Sequence, residues 1–192
     1  MRSITRYKES PSQTAGPYVH IGCTPNFVDL QGVYPADLGG AVSRADLLGE
    51  AITITGKIHD GAGEVVTDAM LESWQTDAHG CYPGPDAGFS GWARQACDLT
   101  TGEFTFHTIK PGRIETAIGQ QSPHISVWIV ARGINLGLHT RIYFADEDNS
   151  ADPVLALLTP RRKRTLIASQ HAGAYVFNIR LQGENETVFF DL

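Results

Sequence analysis

Two stretches of this sequence gather the side chains that could carry chemistry. The first, residues 71–82, is Leu-Glu-Ser-Trp-Gln-Thr-Asp-Ala-His-Gly-Cys-Tyr and ends on Tyr82. The second has Thr-Ile-Lys-Pro-Gly at residues 108–112 and Pro-His-Ile-Ser at residues 123–126. His124 and Ser126 are two positions apart on a predicted strand, so both side chains should lie on one face of a sheet. The sequence has no nucleophile elbow, phosphate loop or dinucleotide fingerprint, which argues against those catalytic classes.

Alternation of apolar and polar residues predicts the strands that would position these side chains. It begins at residue 51, and the expected strands are 51–58, 65–74, 103–109, 124–130, 138–144, 175–181 and 187–190. Residues 124–130 are apolar on both faces, which predicts a central buried strand. We expect a helical turn that Asp152 caps and Pro160 ends. Residues 78–102 are expected to form a long surface loop.

Many short strands with glycine-rich turns favour an all-β fold. We expect an antiparallel β-sandwich of the transthyretin type with an N-terminal arm and short helical insertions. The arm and a short helical or irregular segment would occupy residues 1–50, with no regular structure over residues 1–20. The sandwich would occupy residues 51–192, and the 192 residues would form one structural unit.

Charge and cysteine content limit the possible partners and compartment. The formal net charge is −6, and the single basic run, residues 161–164, is expected to be a solvated helix face. Without a basic stripe, nucleic-acid binding is not expected. Three cysteines without a Cys-x-x-Cys pair argue against a disulfide framework and a zinc site. A polar N-terminus and the lack of a long apolar run predict a cytoplasmic protein without a membrane segment.

These two stretches, together with Thr-Ala-Gly-Pro-Tyr at residues 14–18, resemble the intradiol aromatic-ring dioxygenases. The resemblance extends from about Pro11 to the final residues 187–192. Each motif is weak by itself, but the combination is specific. The resemblance implies an Fe(III) enzyme in which O₂ opens the ring of a catecholic acid between its two hydroxyl-bearing carbons.

In that family, the iron-bearing chains hold Fe(III) with two tyrosines and two histidines. Tyr82 and His124 match one tyrosine and the first histidine, whereas Ile114 and Ser126 stand at the other two positions. Two protein ligands are too few to retain Fe(III) against water and chelators. The resemblance therefore implies that this chain has neither metal nor catalytic residues of its own. For Tyr82 and His124 we favour a structural role over a catalytic one: both would lie at the rim of the sandwich, where they could hydrogen-bond to each other.

The resemblance also implies a partner, a homologous iron-bearing β subunit whose substrate pocket this chain helps to line. The residues that match the pocket wall are Thr14, Gly16, Pro17, Tyr18 and Arg132. Gly16 permits close backbone approach, Pro17 stiffens the turn, and Tyr18 offers a ring and a hydroxyl. Arg132 would place a fixed positive charge near an anionic aromatic acid.

Structural interpretations stand beside these functional ones. Arg132 could form a surface ion pair at a strand end, and Arg141 could pair with an Asp or Glu across the sheet. His107 and His139 are expected to be packed or hydrogen-bonded strand residues. For the whole chain, the alternatives are a non-enzymatic sandwich that binds a partner and a self-sufficient iron enzyme with unusual ligands.

Overall fold

The computed structural model describes residues 14–16, 18–40, 49–84 and 88–191. These residues form an all-β structure with a few short helices, which confirms the predicted fold class. The strands are β1 (Ala51–His59), β2 (Met70–Trp74), β3 (Trp92–Ala96), β4 (Glu103–Ile109), β5 (Ile114–Thr116), β6 (Gly119–Gln121), β7 (His124–Val130), β8 (Leu138–Phe144), β9 (Ile167–His171), β10 (Ala174–Val176) and β11 (Ile179–Arg180). The helices are α1 (Tyr18–Cys23), α2 (Pro153–Ala156) and α3 (Pro160–Arg164), and a 3₁₀ turn spans Asn26–Val28.

One hydrogen-bonded path joins most of the strands, in the order β11-β1-β10-β9-β8-β7-β2-β3, and β4 also pairs with β1. β5 and β6 form a separate hairpin. The expectation of purely antiparallel pairing is wrong at three places, because β1 pairs with β10 and β11 in parallel and β8 pairs with β9 in parallel. These pairings arise because the chain crosses over between the elements instead of returning through a hairpin.

The main hydrophobic core is formed by alternate side chains of the strands near the two ends of this path. Ile54 of β1 and Phe106 of β4 belong to the same buried cluster as Leu71, Ile129 and Ile142 of β2, β7 and β8. A smaller cluster forms around Tyr143, Leu155 and Leu166, where α2 covers the other side of β8. β7 lies between β2 and β8 and is therefore a central strand, as predicted. One of its faces belongs to the main core. The side chains of the other face are half-buried, apart from His124, which is buried.

Sequence periodicity locates most strands, and its errors have local causes. The strands predicted at 51–58, 103–109, 124–130 and 138–144 are confirmed as β1, β4, β7 and β8. The prediction at 175–181 is a pair of short strands, β10 and β11, and residues 187–190 contribute one isolated bridge, between Phe190 and His139. The prediction that residues 78–102 form one loop is wrong, because β3 pairs with β2 along its whole length there. The predicted strand at 65–74 shortens to β2.

Side-chain capping sets the helix starts. The Asp152 carboxylate accepts hydrogen bonds from the backbone N–H groups of Val154 and Leu155, as its predicted capping role requires. Pro160 begins α3 instead of only ending the preceding turn, since proline suits the first position of a helix. The basic run 161–164 lies on α3, as predicted.

The arm prediction is wrong at residues 18–20, which are helical in α1. Pro17 lies outside the described residues, and the division of the chain at residue 50 stays a prediction.

Among the helices of the described residues, none is long and apolar enough to cross a lipid bilayer.

Candidate functional site

β7 separates the two groups of residues that the sequence singled out. His124 is the first residue of this strand, and Arg132 lies two residues beyond its last, Val130. A seven-residue strand is roughly 20 Å long. The two groups therefore lie at opposite ends of one central strand and form two separate sites. We call the side of β2, β7 and β8 that is turned away from the main core the outer face.

Strand register brings together the residues of the outer face. Tyr143 of β8 pairs with His124, and Arg141 of β8 pairs with Ser126. On the other side of β7, Trp74 of β2 also pairs with Ser126. Residues directly opposite in an antiparallel pair point to the same side of the sheet. Ser126 is thus flanked by an indole and a guanidinium.

His124 is held in its neutral form. Its side chain is buried, with 3% exposed, and Nδ1 lies 2.8 Å from the carbonyl oxygen of Ser122. Because a carbonyl accepts hydrogen bonds only, this contact places the proton on Nδ1. The imidazole also packs against Tyr143, with ring centroids 5.3 Å apart. Burial, and then the positive charge of Arg141, lower the pKa of His124 to about 4.

Tyr82 lies on the indole of Trp74 and not beside His124. The two rings are stacked 5.8 Å apart with planes inclined by 10°, and 49% of Tyr82 is exposed. The hydrogen bond that Tyr82 and His124 could form is not present in the described residues, where His124 Nδ1 contacts the carbonyl oxygen of Ser122. A tight turn explains this placement, because the Asp77 carboxylate accepts hydrogen bonds from the backbone N–H groups of His79 and Cys81 and so fixes the approach to residue 82.

Arg141 occupies the middle of the outer face. Its Nη1 donates to Gln121 Oε1 at 3.0 Å and to the Tyr143 hydroxyl at 3.3 Å, and its guanidinium lies over the Phe190 ring, 5.6 Å from the centroid. The alternative that Arg141 pairs with an Asp or Glu is wrong within the described residues, where its hydrogen-bond partners are uncharged. The sequence contained one signal for the placement of Arg141 beside Tyr143. Residues 141 and 143 are two positions apart on a predicted strand, so their side chains should lie on the same face.

A second site lies beyond the other end of β7. A cavity of about 410 Å³ is lined by Gly16, His20, Ile21, Val28, Leu30, Asp68, Leu99 and Arg132. We call it the Arg132 pocket. The hydroxyl oxygen of Thr14 accepts a hydrogen bond of 2.6 Å from the backbone N–H of Gly133, which fastens the arm beside Arg132. Tyr18 is 83% exposed at the start of α1.

Asp68 holds Arg132 in this pocket. The Arg132 Nε donates to Asp68 Oδ2 at 2.7 Å, and 70% of the arginine side chain is exposed. The surface ion pair considered for Arg132 is thus present, and it engages Nε while leaving both terminal nitrogens of the guanidinium free of ion pairs within the described residues. His20 Nε2 contacts the carbonyl oxygen of Asp68 at 3.0 Å. Sequence reasoning missed Asp68 and His20, and no local pattern links either of them to residue 132.

Comparison with known proteins identifies the family. A family model described as "Dioxygenase" matches residues 24–183. The protocatechuate 3,4-dioxygenase alpha chain of Pseudomonas putida is 44% identical over 196 residues, which cover 95% of this chain and 96% of that protein. The intradiol ring-cleavage dioxygenase of Tetranychus urticae superposes with a TM-score of 0.57 at 18% identity, covering 76% of this chain and 89% of that one, which supports a common fold. This chain belongs to the intradiol ring-cleavage dioxygenase family.

Another intradiol dioxygenase chain is a more distant relative. The protocatechuate 3,4-dioxygenase beta chain of Burkholderia cepacia is 29% identical over 167 residues, covering 77% of this chain and 71% of that protein. This chain is thus similar to both kinds of subunit that those names describe, and its similarity to the alpha chain is the greater.

The outer face does not fit the Fe(III) that intradiol dioxygenases use. Ile114 is a buried hydrocarbon on β5, and Ser126 is a weak ligand. A guanidinium stands directly opposite Ser126, and its fixed positive charge opposes a trivalent cation. Within the described ranges, no three His, Cys, Asp or Glu side chains are grouped as a metal site would require.

Proposed function

We propose that this chain is the alpha subunit of a protocatechuate 3,4-dioxygenase, which assembles with an iron-bearing beta subunit and supplies one wall of its substrate pocket. The reaction is the intradiol cleavage of protocatechuate by O₂ to 3-carboxy-cis,cis-muconate in aromatic catabolism, in the cytoplasm. One observation carries the pocket assignment: the Thr14–Gly133 hydrogen bond joins the arm to Arg132. The similarity to an alpha chain supports the assignment as an alpha subunit. It also favours this role over the alternative of a non-enzymatic interaction module.

The chemistry of the Arg132 pocket suits an aromatic carboxylate. Ile21, Val28 and Leu30 supply apolar walls for a ring, and Arg132 supplies a cation whose terminal nitrogens can bind a carboxylate in a bidentate manner. Gly16 opens onto the same space with no atom within 4 Å of where a Cβ would stand, so a ligand or a partner's backbone can approach there. Tyr18, exposed at the start of α1, would extend this wall toward the partner.

The location of the pocket supports a shared active site. It lies beyond the end of β7 opposite to His124, so it cannot serve a reaction at His124 or Ser126. An active site that uses the Arg132 pocket must then be completed by another chain. We propose that Fe(III) belongs to that beta subunit, and that this chain binds none.

The proposed architecture is a two-layer sandwich of the transthyretin type. β1, β4, β10 and β11 would form one layer, and β2, β3, β7 and β8 the other, with β9 passing between them. The supporting observation is that side chains from both groups share one core.

Steady-state kinetics of the co-expressed assembly test the proposed role of Arg132. Replacing Arg132 with Gln removes a charge-assisted contact with the substrate carboxylate, which corresponds to roughly 1.5–3 kcal/mol. We expect KM for protocatechuate to rise about tenfold or more while iron content is unchanged. Arg164→Gln, on the exposed face of α3, is the matched control and should leave KM unaltered.

A second variant tests the arm. Tyr18→Ala should also change KM or kcat of the assembly, because the exposed ring would lie against the partner. If Arg132→Gln and Tyr18→Ala both leave turnover and KM unchanged, the shared pocket is ruled out.

A further inference from the structure

A small cleft on the outer face has no part in the proposed reaction. It has a volume of about 70 Å³ and is lined by Ser126, His139, Thr140, Arg141 and Phe190. Since one water takes up about 30 Å³ in the liquid, the cleft has room for more than a single solvent molecule. Of the four positions that match the family's iron ligands, only Ser126 lines this cleft.

Hydrogen-bond donors converge on this cleft. Arg141 directs Nη1 to Gln121 and Tyr143, and its Nε and Nη2 atoms have no hydrogen-bond partner within the described residues. Ser126, directly opposite in the strand register, adds a hydroxyl. The Phe190 ring lies over the guanidinium and screens it from solvent on that side.

Among the described residues, Arg141 has no direct contact with a carboxylate. The Asp152 carboxylate lies one hydrogen bond further along, on the Tyr143 hydroxyl that Arg141 also contacts. Arg141 forms no ion pair in the part of the chain that the structure describes, although the protein as a whole has a net charge of −6. Nε and Nη2 of Arg141 are left without an acceptor, and a planar carboxylate matches this pair of donors. The cleft therefore has the charge, the donor geometry and the size for one carboxylate group with a short substituent.

We propose that this cleft is a binding site for a small free carboxylate such as formate or acetate, held by Arg141 and Ser126. A benzene ring does not fit the cleft, so benzoate is excluded from it. The proposal is independent of the assembly with a beta subunit and of the reaction at the Arg132 pocket.

Nuclear magnetic resonance of the full chain tests this site. Titration with acetate should shift the backbone amide resonances of Ser126, His139 and Phe190 in a saturable way. Arg141→Gln should weaken acetate binding at least tenfold. Because that variant also loses the contacts with Gln121 and Tyr143, a second variant keeps the arginine. Ser126→Asp places a carboxylate opposite Arg141, and it should abolish acetate binding while leaving the fold intact.

Arg132→Gln is the matched control, since it removes an arginine from the other site and should leave these shifts unchanged. Benzoate should give no saturable shift at the three amides. Unchanged acetate affinity in Ser126→Asp would overturn the proposal, and so would benzoate binding at these amides with the affinity of acetate. A raised KM for protocatechuate in the Arg132→Gln assembly, with acetate binding retained at these amides, would establish this site and the substrate pocket separately.

Discussion

At the scale of single residues, the main difference from an iron site is one of charge. Phenolate ligands of a ferric ion offer negative charge, whereas the side chains around His124 offer a neutral imidazole and the cation of Arg141. Tyr143, which packs against His124, is buried, and burial raises the pKa of its phenol to about 12. The Tyr143 phenol accepts a hydrogen bond from Arg141 and packs against the neutral imidazole of His124, so these three side chains offer no anionic ligand to a ferric ion.

His124 should make the stability of the protein depend on pH. Its pKa is about 4 in the folded state and about 6.5 in an unfolded chain, so between these values only the unfolded chain binds the proton. The contribution is complete above about pH 6.5 and is lost as the pH falls toward 4, by roughly 3 kcal/mol. Urea unfolding at pH 7 and pH 4.5 should show a smaller decrease for His124→Phe than for the original protein.

The exposed His171 provides the control for this measurement. His171→Gln should keep the pH dependence of the original protein. An equally steep decrease in His124→Phe would mean that other groups cause it, and that the imidazole of His124 titrates normally.

Asp68 should act as a positioning residue for Arg132. Asp68→Ala removes the ion pair at Nε, so Arg132 becomes free to take other rotamers. We expect KM of the assembly to rise severalfold with little change in kcat. The double variant Asp68→Ala/Arg132→Gln should have the same KM as the single variant Arg132→Gln. Additive effects of the two substitutions on log KM would show that Asp68 acts without Arg132.

At the scale of elements, β7 carries both sites because its two ends lie in different surroundings. Its first residue, His124, follows Ser122, whose backbone N–H donates to the Asp152 cap of α2, whereas its far end leads to Arg132 beside the arm. Asp152 links the start of α2 to the segment between β6 and β7. Its buried carboxylate accepts a hydrogen bond from Ser122 N at 2.8 Å as well as those from the first turn of α2.

Removing this cap should destabilise the protein. Asp152→Ala leaves backbone donors at three positions without their acceptor, two of them buried, and it should lower the free energy of unfolding by about 2–3 kcal/mol. Urea denaturation measures this change. Thr159→Ala is a matched control, because Thr159 also caps a helix that starts with proline, through one exposed bond of 3.4 Å. Its cost should be under about 1 kcal/mol. Equal costs would contradict the joint role of Asp152.

At the scale of the whole molecule, exposed apolar side chains concentrate near the arm. Half of the twelve large hydrophobic residues that are exposed in the described residues lie between positions 18 and 38: Tyr18, Ile21, Leu30, Val33, Tyr34 and Leu38. Such a concentration is typical of a protein–protein interface. It borders the Arg132 pocket, to which Ile21 and Leu30 also contribute. We therefore place the proposed contact with the beta subunit at this segment.

A charged substitution in this segment should weaken the assembly. Val33 is 57% exposed, and Val33→Glu would place a carboxylate in the interface. We expect the dissociation constant of the two subunits to rise at least tenfold. Analytical ultracentrifugation of the co-purified chains measures it. Leu157→Glu changes an even more exposed residue after α2 and should leave the assembly intact. If Leu157→Glu dissociates the subunits and Val33→Glu does not, the interface lies elsewhere.

Features that depend only on neighbouring residues could be predicted from the sequence alone. Alternation predicted β1, β4, β7 and β8, Asp152 was recognised as a helix cap, and the motifs identified the family, with Ile114 and Ser126 at two of the four ligand positions. The tertiary structure decided what lies opposite Ser126, since a slip of one residue in β8 would turn Arg141 into the core. It also decided that Thr14 meets Gly133, 119 positions away. Local patterns follow from periodicity and capping, whereas such contacts depend on strand register and on the path of the chain between elements.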